Sequence, residues 1–243
     1  MTTNRSEEKR RLDAAAGTYA TPEGKQDENN VNPFTVELAL SRLGGGDALQ
    51  MGLGNGYVAA RLRPSFNRFV IVEGSRAVIE QFSDAGIGYE VVESLFEDYV
   101  PAAKFDVLLG NHILEHVDDA VSVLKVSRRW LRRGGTAMFT VPNAQSLHRR
   151  IGVEMGLLAK QNELNAQDRK LGHRRVYTIP ELEEDIRSAG YRIREVRGYM
   201  IKLVSGAQMR GWPQELLEAC YRVSLTLPSE MCSNIAVFCE NPG

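Results

Sequence analysis

An α/β doubly wound fold, built on a mostly parallel sheet of seven strands, is what the sequence predicts, and three observations predict it. From about residue 47 onward, short β-branched runs alternate with longer helical periods. Most of the strand runs are apolar almost throughout, as strands covered by helices on both faces must be. Three glycines in five positions, "GLGNG", directly follow the first of these runs.

The bulk numbers agree with one such core. The chain has 243 residues, 43% apolar and 25% charged, enough for a sizeable hydrophobic interior with small additions. Its formal net charge of −1 supplies no field to draw in nucleic acid or an anionic membrane, so neither is an expected partner. The three cysteines, Cys220, Cys232 and Cys239, show no CxxC spacing, which argues for reduced thiols and a cytoplasmic setting. The first residues are charged and lack an apolar leader, and no apolar run approaches the roughly 18 residues a membrane span needs.

Taken in order, residues 1–43 carry helical signals at "EEKRRLDAAAG" and "FTVELALSRL" and read as a helical cap. The core follows over 44–143. "DALQMGL" is its first strand, "NGYVAARL" begins a helix, "RFVIVEG" is the second strand, and "SRAVIEQFSDAG" is a helix closed by Gly86. "YEVVES" and "KFDVLLGN" are strands three and four. The stretch "VDDAVSVLKVSRRWLRRGG" is a helix whose Arg-rich end, Arg128, Arg129, Arg132 and Arg133, complements the helix dipole. "TAMFTVPN" is strand five.

There the rhythm breaks. Residues 144–177 form a charge-rich, helical excursion too long for an ordinary connection, and so read as a lid. The pattern resumes over 178–243, where Thr178 and Glu181 have capping-box spacing ahead of an amphipathic helix. "YRIREVRGY" and "NIAVFCE" are the last strands, separated by a second insertion at 201–233.

A glycine-rich turn at the carboxyl end of the first strand lies where open α/β sheets bind ligands. Gly52 permits the tight turn, Gly54 lets a ligand approach the backbone, and Gly56 lets the turn pack. Glu73, about 20 residues on at the end of strand two, is placed to accept hydrogen bonds from ribose hydroxyls. A dinucleotide fingerprint needs a third glycine at position 57, where Tyr57 stands. A nicotinamide-dependent oxidoreductase is therefore disfavoured, and a non-catalytic nucleotide-binding module is the other alternative.

The GxGxG spacing, with "VIVEGS", "ESLFED", "FDVLLGNHILEHVDD" and "LRRGGTAMFTVPN" in that order, resembles the class I methyltransferases that use S-adenosylmethionine. The resemblance runs from about Ala48 to Asn143. It implies a Rossmann-like seven-stranded sheet whose last strand is antiparallel. It also implies that Gly52, Gly54 and Gly56 line the cofactor, Glu73 holds the ribose, Ser94, Leu95 and Phe96 border the adenine, and Asn111 and His112 lie near the methionine moiety. Tyr19 is a candidate to close over the cofactor, because related enzymes use an aromatic there. S-adenosylhomocysteine would be the product. One departure stands out: the family's acidic residue two positions before the first glycine is here Gln50, which supplies no negative charge for the ligand's ammonium group.

Methyl transfer from a sulfonium is an in-line displacement, and a hydroxyl acceptor gains from a general base. His148 and His173 bracket the long excursion and are the candidate bases. His112 and His116 have i, i+4 spacing, but no third ligand is signalled, so no metal is expected. Arg174 and Arg175, beside His173, are candidate substrate contacts, since guanidinium forks fit an anionic acceptor. "GWPQELLEACYRV" lines the acceptor pocket, forms core or mediates a homodimer. The expectation is an S-adenosylmethionine-dependent transferase of biosynthetic or tailoring type that methylates an oxygen of a small molecule, with a peptide or carboxylate acceptor as the nearest variant.

Overall fold

The computed structural model describes residues 5–21 and 30–243. Its seven strands are β1 (Asp47–Met51), β2 (Arg68–Glu73), β3 (Glu90–Glu93), β4 (Phe105–Asn111), β5 (Leu131–Pro142), β6 (Arg192–Tyr199) and β7 (Asn234–Glu240). They form one sheet in the order β3-β2-β1-β4-β5-β7-β6. Only β7 runs against its neighbours, pairing antiparallel with both β5 and β6. The apolar central runs β1, β2, β4 and β7 are buried nearly end to end, while β3 and β6 stand at the edges and are the least covered.

The α-helices of the described residues are α1 (Arg5–Ala20), α2 (Asn32–Leu40), α3 (Tyr57–Leu62), α4 (Arg76–Phe82), α5 (Ala120–Trp130), α6 (Leu147–Glu154), α7 (Ala166–Lys170), α8 (Ile179–Ser188) and α9 (Gln214–Ser224). Two apolar clusters form, one on each side of the sheet. One gathers Phe34, Leu38, Leu62 and Tyr221 from α2, α3 and α9; the other gathers Leu124, Trp130, Leu182 and Ile186 from α5 and α8. The alternation of side chains along each strand feeds both clusters at once. In "GWPQELLEACYRV", Leu217 and Tyr221 are core and Trp212 packs against it, whereas Leu216 and Val223 face outward.

Most element positions match the sequence reading, including the capping box of Thr178 and Glu181, whose reciprocal hydrogen bonds start α8. Two features differ. Helix α5 stops at Trp130, so Arg132 and Arg133 belong to β5, not to a helix end. The reason is tertiary: the Asn241 side-chain amide takes the carbonyls of Arg128, Leu131 and Arg132, and Arg132 pairs with Asp47 and Asp106. The excursion over 144–177 is also less helical than expected, with only α6 and the short α7 joined by turns. Arg149 organises those turns, donating to the carbonyls of Gln161 and Glu163 and to the Asp168 carboxylate.

Candidate active site

The carboxyl ends of β1, β2 and β4 open into a cavity of about 1100 Å³, bordered by α1 and by the two long excursions. Its floor is the turn after β1. Gly52, Gly54 and Gly56 have φ of 76°, 56° and 77°, a left-handed backbone that side chains resist. The three serve different ends. A Cβ on Gly52 would meet Ile113 Cδ1 at 2.7 Å, and one on Gly56 would meet the Phe82 carbonyl at 3.1 Å, so both allow close packing. A Cβ on Gly54 would meet nothing within 4 Å, so its bare backbone faces open cavity. Gly52 and Gly54 line that cavity; Gly56 does not.

Glu73, at the end of β2, ties the turn to the second strand. Its carboxylate accepts the Leu53 N–H at 2.9 Å and the Ser75 N–H at 2.8 Å, and it is largely buried. Burial pushes its pKa up, against the pull of those backbone donors. Each oxygen keeps a further lone pair for a ligand hydroxyl. Ser94, Leu95 and Phe96 line the same wall, beyond β3.

Gln50 is the residue that the family pattern left in doubt. Its side chain is buried, and its Nε2 donates to the Gly52 carbonyl at 2.7 Å, which bends the turn. That bond orients the amide and leaves Oε1 without a partner among the described residues. The result is an uncompensated buried acceptor in a residue that lines the cavity.

Beyond β4, Asn111 accepts from Thr140 Oγ1 at 2.5 Å, and the next residue turns left-handed: His112 has φ of 52°. Only one other described non-glycine residue, Met200, shares that conformation. Such strain concentrates where a site dictates side-chain direction. The His112 Nδ1 lies 3.0 Å from Glu115 Oε1. Glu115 is wholly buried; burial alone would raise its pKa, but the His112 hydrogen bond and the surrounding histidines hold it below the usual value. Burial pushes His116 down to about 4.

His148, at the start of α6, lines the same cavity, as do Lys202, Asn143 and Asn234. Its Nδ1 lies 3.0 Å from Ser146 Oγ, and that hydroxyl donates to the Asn143 carbonyl at 2.8 Å. Burial, with Lys202 and Arg149 nearby, pushes His148 down to about 2, so the ring is neutral at physiological pH. Since Ser146 has one proton and gives it to Asn143, the ring must carry its own proton on Nδ1. Nε2 is then the free basic nitrogen.

His173 also lines the cavity and stands against His116, ring centroids 4.7 Å apart and edge to face. The backbone after it is stitched to the turn beyond β4: the Arg174 N–H donates to the Glu115 carbonyl at 2.7 Å. Arg174 and Arg175, the candidate substrate contacts, extend the same seam and are not on the lining of the main cavity. Arg174 donates to the His116 carbonyl and pairs with Asp118; Arg175 donates to the carbonyls of Val117 and Asp118. Both line a separate, shallower groove outside. Carbonyls orphaned where no helix or strand continues are strong takers for such donors.

The cap covers the mouth. Leu12 packs over Gly74, Asp13 accepts from Ser75, and Arg11 donates to the His116 carbonyl. The side chain of Tyr19 lies outside the described residues. Among the contributions that sequence reasoning missed, Glu115 and the Ser146–Asn143 pair had no spacing signal, whereas the unusual Gln50 was visible. No helix among the described residues is long and apolar enough to cross a membrane.

Known proteins share this fold. The NodS N-methyltransferase of Bradyrhizobium japonicum, solved with S-adenosylhomocysteine, is similar in fold at a TM-score of 0.63 and 13% identity, covering 99% of this chain and 100% of that one. A possible histamine N-methyltransferase of Thermotoga maritima is similar at a TM-score of 0.60 and 17% identity, covering 88% and 91%. In sequence, the ubiquinone biosynthesis O-methyltransferase of Alkalilimnicola ehrlichii is 26% identical over 145 residues, 55% of this chain; the match spans 58% of that relative's length. The profile of the family described as Methyltransferase domain matches residues 25–196. This chain therefore belongs to that family, and its fold is that of the S-adenosylmethionine-dependent methyltransferases.

Proposed function

We propose that the chain methylates a hydroxyl oxygen of a small polar molecule, with the cofactor over the glycine turn and the acceptor at the His148 end of the cavity. The observation that carries this reading is the one continuous cavity, which joins the bare backbone at Gly54 and the carboxylate of Glu73 to the neutral ring of His148. The residues at the turn suit an adenosyl sulfonium. Glu73 has lone pairs for ribose hydroxyls, and the orphan Gln50 Oε1 offers an acceptor for an ammonium group. Ser94, Leu95 and Phe96 would border the base, and Asn111 and His112 the methionine portion.

When bound, S-adenosylmethionine supplies an activated methyl group. The protein's part is to align the acceptor oxygen with it and exclude water, which the cap helix and both excursions do by roofing the cavity. His148 Nε2 would take the hydroxyl proton as the oxygen–carbon bond forms. A phenol, whose hydroxyl is the more acidic, gives up that proton to a neutral imidazole more readily than an alkyl alcohol does. The name of the Alkalilimnicola relative, an O-methyltransferase, supports oxygen as the acceptor atom.

The test is direct. Calorimetry with S-adenosylhomocysteine should give one site per chain, and incubating S-adenosylmethionine with a panel of phenols, amines and carboxylates should give mass-shifted phenol products. Transfer confined to amines would sink the oxygen reading, and absence of cofactor binding would sink the site.

A further inference from the structure

The cavity wall also holds a group of side chains for which methyl transfer to an activated oxygen has no evident need. Glu115 is wholly buried, and while its Oε1 is engaged by His112, its Oε2 has no hydrogen-bond partner among the described residues. A bare carboxylate oxygen in the interior is costly and implies a positive partner. His116 and His173 stand beside it, and one donor atom from each of the three residues lies within 4.8 Å of the others. The His173 Nδ1 lacks a hydrogen bond as well; the Asp168 carboxylate is 3.3 Å away but poorly aligned. An unsatisfied carboxylate oxygen and two imidazoles therefore stand within one small volume.

We propose that Glu115, His116 and His173 form a site for one divalent transition-metal ion. Two imidazoles and one carboxylate are a donor set that such ions accept while keeping coordination positions open. Mg²⁺ and Ca²⁺ prefer oxygen donors throughout and fit a nitrogen-rich set poorly. Ligand atoms around a single ion sit roughly 3 to 4 Å apart, so imidazole rotations of about an ångström would close the group. The neighbouring guanidiniums do not prevent this: Arg11 and Arg174 are taken up by the His116 carbonyl and by Glu8 and Asp118.

What brings the ligands together is the seam already described. Arg174 and Arg175 clamp the segment after His173 onto the carbonyls of residues 115–118, so a residue 57 positions downstream of His116 meets it edge to face. All three ligands line the same cavity as the glycine turn and His148, so the open positions of an ion there face that cavity. Water would fill them in the resting protein. Coordination of the acceptor oxygen, unlike metal binding itself, rests on the proposed transfer to oxygen.

The full chain, stripped with a chelator, is titrated with Co²⁺ without cofactor. We expect one Co²⁺ per chain, a visible d–d absorption band, displacement of that band by Zn²⁺, and no displacement by millimolar Mg²⁺. Glu115→Gln and His173→Gln, shown folded by far-UV circular dichroism, should each weaken Co²⁺ binding by tenfold or more. Absence of the band in the unmutated chain, equal competition by Mg²⁺, or unchanged affinity in both variants would overturn the proposal. The two readings fail separately: lost metal binding with intact S-adenosylhomocysteine binding removes only this site, whereas lost cofactor binding removes the methyl-transfer reading.

Discussion

Ser146 and His148, two residues apart at the start of α6, share a hydrogen bond of 3.0 Å whose direction is set by a third partner. Because the Ser146 hydroxyl donates to the Asn143 carbonyl, it can only accept from the ring, and Nε2 of His148 is left as the basic atom. Replacing His148 by Gln should therefore lower kcat by about 10²-fold or more, the usual scale of general-base catalysis, with cofactor affinity retained. Ser146→Ala removes the tautomer preference and should cost about tenfold in kcat with little change in KM, on the scale of one hydrogen bond. Steady-state kinetics on a phenol acceptor reads both; unchanged kcat in His148→Gln would exclude this base.

Glu73 clamps the glycine turn from within. Its replacement by Ala strands the N–H groups of Leu53 and Ser75 and removes the acceptor for the sugar. S-adenosylhomocysteine binding should weaken by about 1–3 kcal/mol, measured by calorimetry. Undiminished affinity would place the cofactor elsewhere.

The acid side of the stability profile should report His148. Its pKa is depressed, so the fold favours the neutral ring and the unfolded chain binds the proton more readily below its ordinary value of 6.5. The stability that the neutral ring contributes is complete above pH 6.5 and declines as pH falls toward about 2. Tm should drop steadily from pH 6.5 to 4.5, and His148→Gln should flatten that slope. A parallel slope in the variant would assign acid sensitivity to other groups.

Arg149 is nearly fully buried and neutralised by Asp168 at 3.2 Å. Changing Asp168 to Ala leaves a buried guanidinium without its counter-ion, which costs about 3–5 kcal/mol in such pairs. Urea denaturation should register that loss, and proteolysis should find the turns between α6 and α7 opened. The double variant Arg149→Met with Asp168→Ala should recover part of the stability, since no charge is then stranded.

Local pattern made much of this molecule legible. Apolar runs marked the strands, GxGxG marked the turn, the acidic end of β2 marked Glu73, and Thr178 with Glu181 marked the start of α8. Each of these depends on residues within a few positions of one another, where backbone preference and side-chain periodicity act directly. Tertiary packing decided the rest. It seated β7 between β5 and β6, drew Arg132 onto β5 through Asp47 and Asp106, and spent Arg174 and Arg175 on carbonyls near Glu115. It also carried His173 to Glu115 and His116 and gave His148 its tautomer through Ser146. Those contacts join segments that the chain separates by loops, or hang on a third group's single proton. Their partners are chosen by which buried polar atoms remain unsatisfied once the sheet has closed, and no spacing along the chain records that.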